Sequence, residues 1–219
     1  DIVKTFGWHP SLPDIRDVPF TYKVSPVTLL PSYLDLADPP LPFPWEPAMQ
    51  QGALGSCGPN TGAANVIYTD LHDATPTRAD LPDRLFWYYN TRLLMGTVNS
   101  DSGVDNRNML KALARYGWKP ERDYDVAKFR DLPSREDYAE AAKIIPNIVY
   151  QPVPQNLLSM KVCLVETRRP FIFGFSVYQS MMTQTVDRTG IVPMPGGILD
   201  SQVGGHDVLC VGYDDATQR

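Results

Sequence analysis

The sequence predicts an α+β protein of two lobes, helical in its first half and rich in strands in its second. Three stretches with helical apolar periodicity follow one another between residues 57 and 118. After about residue 150 the chain changes to runs of β-branched and aromatic residues, which are typical of strands. With 219 residues the chain is long enough to bury a core, and a cleft between two lobes is a usual position for a site.

Residues 1–30 form an opening segment that is rich in proline and aromatic residues. It carries Phe6, Trp8, Phe20 and Tyr22 without a core of its own, and each would gain about 1.5–3 kcal/mol from burial. We therefore expect this segment to lie across the body and cover part of the cleft as a built-in blocker. A structural wrap on the back of a lobe is the alternative.

The range 31–150 is predicted to form the helical lobe. It opens with "PPLPFPWEP" at 39–47, which is typical of a stiff connector, with an SH3-type ligand as the alternative. Helices are predicted from Cys57 through "TGAANVIYTDLH", over 80–96 and over 105–118. Gly96 and Gly117 act as the stop signals of the last two.

The range 151–219 is predicted to form the β-rich lobe. "NLLSMKVCLVET" (156–167) has the pattern of one more helix. "PFIFGFSVY" (170–178) and "HDVLCVGYD" (206–214) have the composition of strands.

Composition and charge exclude several classes of function. The net charge is −5 and the only basic doublet is Arg168–Arg169, so the sequence lacks the basic clusters that are typical of nucleic-acid-binding proteins. No apolar run approaches the roughly 18 residues of a membrane span, and no metal or nucleotide motif occurs, so we expect no cofactor and no metal. We favour a monomer. Because the chain begins at Asp1 rather than at a methionine, we expect an upstream piece to have been removed, which leaves the compartment open. A secreted or periplasmic location is slightly favoured over the cytoplasm.

Cys57 lies where a Gly-rich turn, "QQGALGSCGPN", runs into a helix. At the first turn of a helix the unpaired N–H groups and the macrodipole favour a thiolate, which is the nucleophilic form of cysteine. The side-chain amide of Gln51 can point to the same place as the backbone N–H of Cys57, and two such donors form an oxyanion hole. This arrangement predicts an acyl-transfer site with a thiol pKa well below about 8.5.

Such a thiolate gains further from a neighbouring imidazole, and the chain offers three histidines. His9 lies in the Pro-rich opening and His72 at a polar helix end, and both are interpreted as solvated surface residues. His206 follows two glycines and is predicted to start the apolar strand "VLCVGY", which would hold its ring at the edge of the cleft. His206 is therefore the candidate base.

These segments resemble the papain-like cysteine proteases. "QQGALGSCGPNTGAA" is similar to their active-site segment, Gln-Gly-x-x-Gly-Ser-Cys, and "GGHDVLCVGYDD" to their histidine strand, and the separation of Cys57 from His206 falls in the family's window of roughly 130 to 150 residues. "LPSYLDLAD" (30–38) is similar to the mature N-terminus. "LFWYYNTRLLMG", "DSGVDNRNMLKALARYGW" and "PFIFGFSVY" resemble the bacterial branch in particular. The likeness spans about residues 30 to 215.

The resemblance implies an endopeptidase of peptide or protein substrates, with the papain-like two-lobed fold and its site in the cleft. Cys57 would be the nucleophile, His206 the base and Gln51 the oxyanion donor. Gly103 matches the glycine stretch that pairs with the substrate backbone, although it could equally be only a turn, and Gly205 is a second candidate for substrate contact.

The chain departs from the family pattern at three points. Leu54 stands where a disulfide cysteine is usual, so we expect no such bridge, and Cys163 and Cys210 are interpreted as buried inert thiols. Asp207 replaces the usual Ala after the histidine, either as a solvated edge residue or as part of a pocket that prefers Lys or Arg. The third catalytic member, an Asn, cannot be nominated before Arg219, and the β-rich lobe lacks its last strands, so we expect the natural chain to be longer.

Three functions are consistent with these features. The first is a cysteine endopeptidase that works through a thioacyl intermediate. The second is a catalytically silent papain-like fold that serves as a binding module, which the missing Asn and the presence of Asp207 support. The third is another Cys–His acyl transferase, against which the position of Gln51 argues.

Overall fold

A computed structural model describes residues 5–22, 30–37, 49–72 and 80–218 of the chain. The Pro-rich stretch 39–47 and residues 1–4 and 23–29 of the opening segment lie outside the described residues. The described helices are α1 Cys57–Leu71, α2 Arg84–Met95, α3 Asn106–Tyr116, α4 Arg135–Ala141, α5 Leu157–Thr167 and α6 Gln184–Thr189. The strands are β1 Tyr33–Asp35, β2 Phe171–Tyr178, β3 Gln202–Cys210 and β4 Gly212–Asp214.

Helices α1 and α3 start close to the predicted positions, and side-chain caps fix the starts of α2 and α3, whereas Ser56 makes no side-chain cap before α1. The carboxylate of Asp83 accepts a hydrogen bond from the N–H of Phe86, so α2 begins at Arg84 rather than at residue 80. Asp105 caps α3 in the same way. The helices share a core of buried apolar residues, Trp87, Met109, Ala112, Leu113 and Trp118.

Strands β2 and β3 form an antiparallel pair in which Phe175 lies opposite His206 and Gly174 opposite Asp207. The predicted single strand 206–214 is wrong at its start and in its continuity, because β3 begins at Gln202 and a break after Cys210 separates it from β4, which ends at Asp214 as predicted. His206 therefore lies inside a strand rather than at its start. The two glycines before it continue the strand because their backbones pair with β2.

Strand β1 pairs antiparallel with β4, at the opposite end of the chain. Leu34 of β1 packs with Leu164 of α5 and Tyr213 of β4 in a second apolar cluster. Residues 33–35 therefore pack with the β-rich part of the molecule, although they precede the helices in sequence.

Two short helices were not predicted from the sequence. Helix α4 begins with a capping box, in which Ser134 and Asp137 satisfy each other's backbone N–H groups. This pair is visible in the sequence and indicates the start of a helix. Helix α6 has only six residues, too few for apolar periodicity to show.

In the described part of the chain, no helix has the length and apolar character of a membrane span, and His, Cys, Asp and Glu form no group of three or more potential metal ligands. Cys57, Cys163 and Cys210 are all free thiols; Cys163 is buried as predicted, whereas Cys210 is only half-buried.

Replacing Gly117 by Ala is expected to lower the free energy of unfolding much more than the same change at Gly96. Gly117 ends α3 at φ 70° and ψ −159°, a region that is essentially restricted to glycine, and a Cβ there would lie 2.2 Å from the carbonyl oxygen of Ala141. Gly96 has an ordinary left-handed conformation with open space around it. We expect a loss of about 1 kcal/mol for Gly96→Ala and about 3 kcal/mol or more for Gly117→Ala, measured by urea unfolding. Equal losses would contradict this assignment.

Candidate active site

Cys57 begins α1 and is 1% exposed. The turn before it is held by a neighbouring loop, because both carboxylate oxygens of Asp101 accept the N–H of Gly55 at 3.0 Å. The hydroxyl of Tyr88 donates to the same carboxylate and accepts the N–H of Gly103 at 3.1 Å. These hydrogen bonds fix the nucleophile turn relative to the loop that carries Gly103.

Strand β3 lies directly against the start of α1. The hydroxyl of Thr61 donates to the carbonyl of Asp207 at 2.9 Å, and the backbone N–H of Asp207 faces the thiol of Cys57. His206, the preceding residue, has its imidazole between the edges of the Phe6 and Phe175 rings. The structure thus brings the cysteine and histidine segments together, as the sequence predicts.

Gln51 also lies in this region, but its amide is already engaged. Nε2 donates to the carbonyl of Leu54 at 2.9 Å and to the carbonyl of Thr5, in the opening segment, at 3.0 Å. Gln51 and His206 line the same cavity, of about 660 Å³, together with Phe6 and several aliphatic and methionine side chains.

Residues 5–9 of the opening segment run through the cleft without forming a strand, apart from one bridge at Trp8. The N–H of Trp8 donates to the carbonyl of Gly205 at 2.9 Å. On the other side, Val104 donates its N–H to Gly7 and accepts the N–H of His9, at 2.6 and 3.0 Å, in a parallel bridge. The segment therefore contacts both walls of the cleft.

Gly103 and Gly205, the two glycines predicted to contact substrate, allow this close approach. A Cβ on Gly103 would lie 2.0 Å from the carbonyl oxygen of Gly7, and one on Gly205 would lie 2.3 Å from that of Trp8. The backbone that pairs with the opening segment on this wall is that of Val104, the residue after Gly103. The sequence did not indicate Val104, because its side chain gives no sign of what its backbone binds.

Farther along, the segment is held by polar contacts at the start of α3. Arg107 forms a bidentate ion pair with Asp17 at 2.6 Å, and the hydroxyl of Ser11 donates to Asp105 at 3.1 Å. Leu12 and Ile15, between these contacts, are exposed. The described part of the segment thus lies along the cleft and the start of α3.

The thiol and the imidazole are both shifted toward their neutral forms. Burial raises the pKa of Cys57, and the negative charge of Asp207 adds to the increase, while the N–H groups of Gly7 and Asp207 oppose it. Burial lowers the pKa of His206, and no hydrogen-bond partner reaches its Nδ1 among the described residues. The predicted low thiol pKa is therefore wrong for this closed arrangement, because burial outweighs the N–H groups that face the thiol.

Asp207 is 2% exposed, so its interpretation as a solvated edge residue is wrong. Its Oδ1 accepts a hydrogen bond from Nδ2 of Asn106 at 3.2 Å, and burial raises the pKa of the carboxyl to about 7. Sequence analysis missed Asn106 because the contact joins residues that lie far apart along the chain. His72, by contrast, is exposed at the end of α1, as predicted.

Comparison with known proteins identifies the family. No protein-family model matches the chain. The chain is 32% identical, over 98% of its length and 74% of the relative's, to an uncharacterized peptidase C1-like protein of Acanthamoeba polyphaga mimivirus. It is 34% identical to xylellain, a cysteine protease from Xylella fastidiosa, with a TM-score of 0.81 over 96% of this chain and 80% of that one. The chain is a papain-like cysteine protease.

The fold of this papain-like protease is shared more widely. The proCathepsin B structure from Trypanosoma congolense matches with a TM-score of 0.61 over 95% of this chain and 71% of that one, at 14% identity. The predicted α+β class, two-lobed papain-like architecture and enzyme class are thereby confirmed.

Proposed function

We propose that this protease is an endopeptidase whose site consists of Cys57, His206 and Gln51, and that its opening segment blocks the site. One observation supports both parts of this proposal. A peptide carbonyl, that of Thr5, accepts from Nε2 of Gln51 at 3.0 Å, while Gly7, two residues later, has its N–H at the thiol. Peptide backbone therefore fits against the nucleophile and the proposed oxyanion donor together.

In the reaction, His206 takes the proton of the Cys57 thiol as sulfur attacks the carbonyl carbon of the scissile peptide. The carbonyl oxygen becomes an oxyanion, which the amide of Gln51 and the N–H of Cys57 stabilise. The imidazolium then gives its proton to the leaving amine as the C–N bond breaks, which leaves a thioester. Water, deprotonated by His206, hydrolyses the thioester and releases the acid and the free thiol.

The blocked state follows from the same contacts. The segment occupies the Gln51 donor with Thr5 and buries the thiol, so neither the oxyanion hole nor the nucleophile is available to a substrate. It crosses Val104 in a parallel bridge, and its Phe6 lies on the imidazole of His206. Opening requires that residues 5–9 leave the cleft.

A catalytically silent binding module is the second candidate, favoured by the neutral thiol and by the unpartnered Nδ1 of His206. To separate the two, the full chain and a Trp8→Ala variant are incubated with an epoxysuccinyl inhibitor, and the intact mass is measured. We expect one adduct, formed faster in the variant and absent after Cys57→Ala. Cys163 and Cys210 serve as internal controls for nonspecific alkylation. No adduct in either chain, or an adduct that survives Cys57→Ala, would contradict the endopeptidase.

A further inference from the structure

The indole of Trp8 lies on the floor of the cleft, against the sheet formed by β2 and β3. A Cβ built on Gly174 would lie 1.9 Å from the ring, and one on Gly205 would lie 2.8 Å from its Cε3. Gly174 is directly opposite Asp207 in the sheet, and paired residues place their side chains on the same face. The Trp8 ring therefore fills a pocket whose neighbouring wall is the Asp207 side chain.

Three buried polar atoms at this place have no hydrogen-bond partner in the described part of the chain. They are Oδ2 of Asp207, Oδ1 of Asn106 and Nε1 of Trp8. Nδ2 of Asn106 donates to the other oxygen of Asp207, so the amide presents its oxygen, and the pair offers two acceptors with no donor. Trp8 fills the space, but its N–H reaches neither of them.

A buried carboxylate is stable only when it is paired with a cation or protonated. Here burial raises its pKa to about 7, as expected for a carboxyl that lacks a cationic partner. The nearby surroundings are apolar, because a Cβ on Gly58 would touch Val104, Met109 and Oδ2 of Asp207 together. Such a lining suits the methylene stem of a long side chain with a charged tip.

We propose that Asp207 and Asn106 form a cation-binding subsite that takes the Lys or Arg side chain of a substrate once Trp8 withdraws. Gly7 lies at the thiol and Trp8 is the next residue, so the subsite is one residue from the reacting centre. We assign it to the second residue before the cut, for a substrate chain that runs through the cleft in the direction opposite to the opening segment. A guanidinium or ammonium supplies the donors that both unpartnered oxygens need. This inference rests on the proposed endopeptidase function.

The alternative is that Asp207 only holds α1 to β3. That contact uses the backbone carbonyl of Asp207, which accepts from Thr61, and it does not need the carboxylate. An Asp207→Asn variant keeps the backbone contact and the size of the side chain but removes the charge. It therefore separates a structural role from cation binding.

The test compares two peptide substrates that differ only at the second residue before the cut, Arg in one and its uncharged analogue citrulline in the other. Both are assayed at pH 8 with the Trp8→Ala chain and with Trp8→Ala/Asp207→Asn. We expect kcat/KM to be at least tenfold higher for Arg when Asp207 is present, and the ratio to fall to near one with Asn. Asn106→Leu should lower the ratio partly. Trp8→Leu replaces Trp8→Ala if the latter fails to fold.

A ratio near one with Asp207 present, or a ratio unchanged by Asp207→Asn, overturns the subsite even if both peptides are cleaved. If neither peptide is cleaved and no Cys57 adduct forms, the proposed function fails, and the subsite is then judged by binding alone. In that case n-butylguanidinium should raise the melting temperature of the Trp8→Ala chain in a saturable manner, and n-butylurea should not. The effect should vanish with Asp207→Asn, and its absence or its persistence would overturn the inference.

Discussion

A chain that lacks residues 1–25 is expected to react with an epoxysuccinyl inhibitor at Cys57 at least tenfold faster than the full chain, and to cleave peptides faster. In the full chain the segment occupies the Gln51 amide and pairs with Val104 and Gly205. A reagent therefore reaches the thiol only in the fraction of molecules that is open. A net closing free energy of only about 1.4 kcal/mol makes that fraction about one tenth.

The pH dependence should change along with the rate. Burial is the main cause of the raised pKa of Cys57, so removal of the segment should lower that pKa and shift the alkylation profile toward lower pH. Leu12→Ala and Ile15→Ala are matched controls, because both residues are exposed within the same segment, and neither change should affect the rate. Unchanged rates together with a lower melting temperature would mean that the segment is only a structural wrap.

Local sequence patterns predicted Cys57 and His206 of the proposed site. The residues that they missed are those whose roles depend on long-range contacts. A Gly-rich turn before a helix placed Cys57 at the start of α1, and the glycine pair before an apolar run singled out His206. Both signals lie within a few residues of the chain. Asn106 and Val104 gave no comparable signal, because their roles arise from contacts with residues about one hundred positions away.

The same distinction explains the error in the charge state of the thiol. The helix start is a local feature and favours the thiolate. Burial acts against it and dominates in the closed arrangement, in which Gly7, fifty residues earlier in the chain, lies at the thiol. Asp101 and Tyr88 were missed for a similar reason, since the structure alone reveals that they link the turn at Gly55 to Gly103.

The Asp207 carboxyl is expected to lower the free energy of unfolding of the chain as the pH rises. The carboxyl has a pKa of about 7 in the folded chain and 3.8 as its reference value, so the folded state holds an extra proton between these values. Because the folded state binds more protons there, this group lowers the free energy of unfolding as the pH rises from about 4 through 7. The upper bound of the loss is on the order of 4 kcal/mol at pH 8.

Asp207→Asn removes the ionisable group while keeping its size, so the stability of the variant relative to the parent chain should increase from pH 5 to pH 8, by at most about 2–3 kcal/mol. His206, whose pKa burial lowers, acts in the opposite direction but is present in both chains and cancels in the comparison. Urea unfolding at the two pH values measures the difference. Asp123→Asn, at an exposed ion pair with Lys128, is the control and should show no increase between pH 5 and pH 8. A difference that stays flat for Asp207→Asn would mean that the carboxylate already has a cationic partner or contact with water, and the empty subsite would then be excluded.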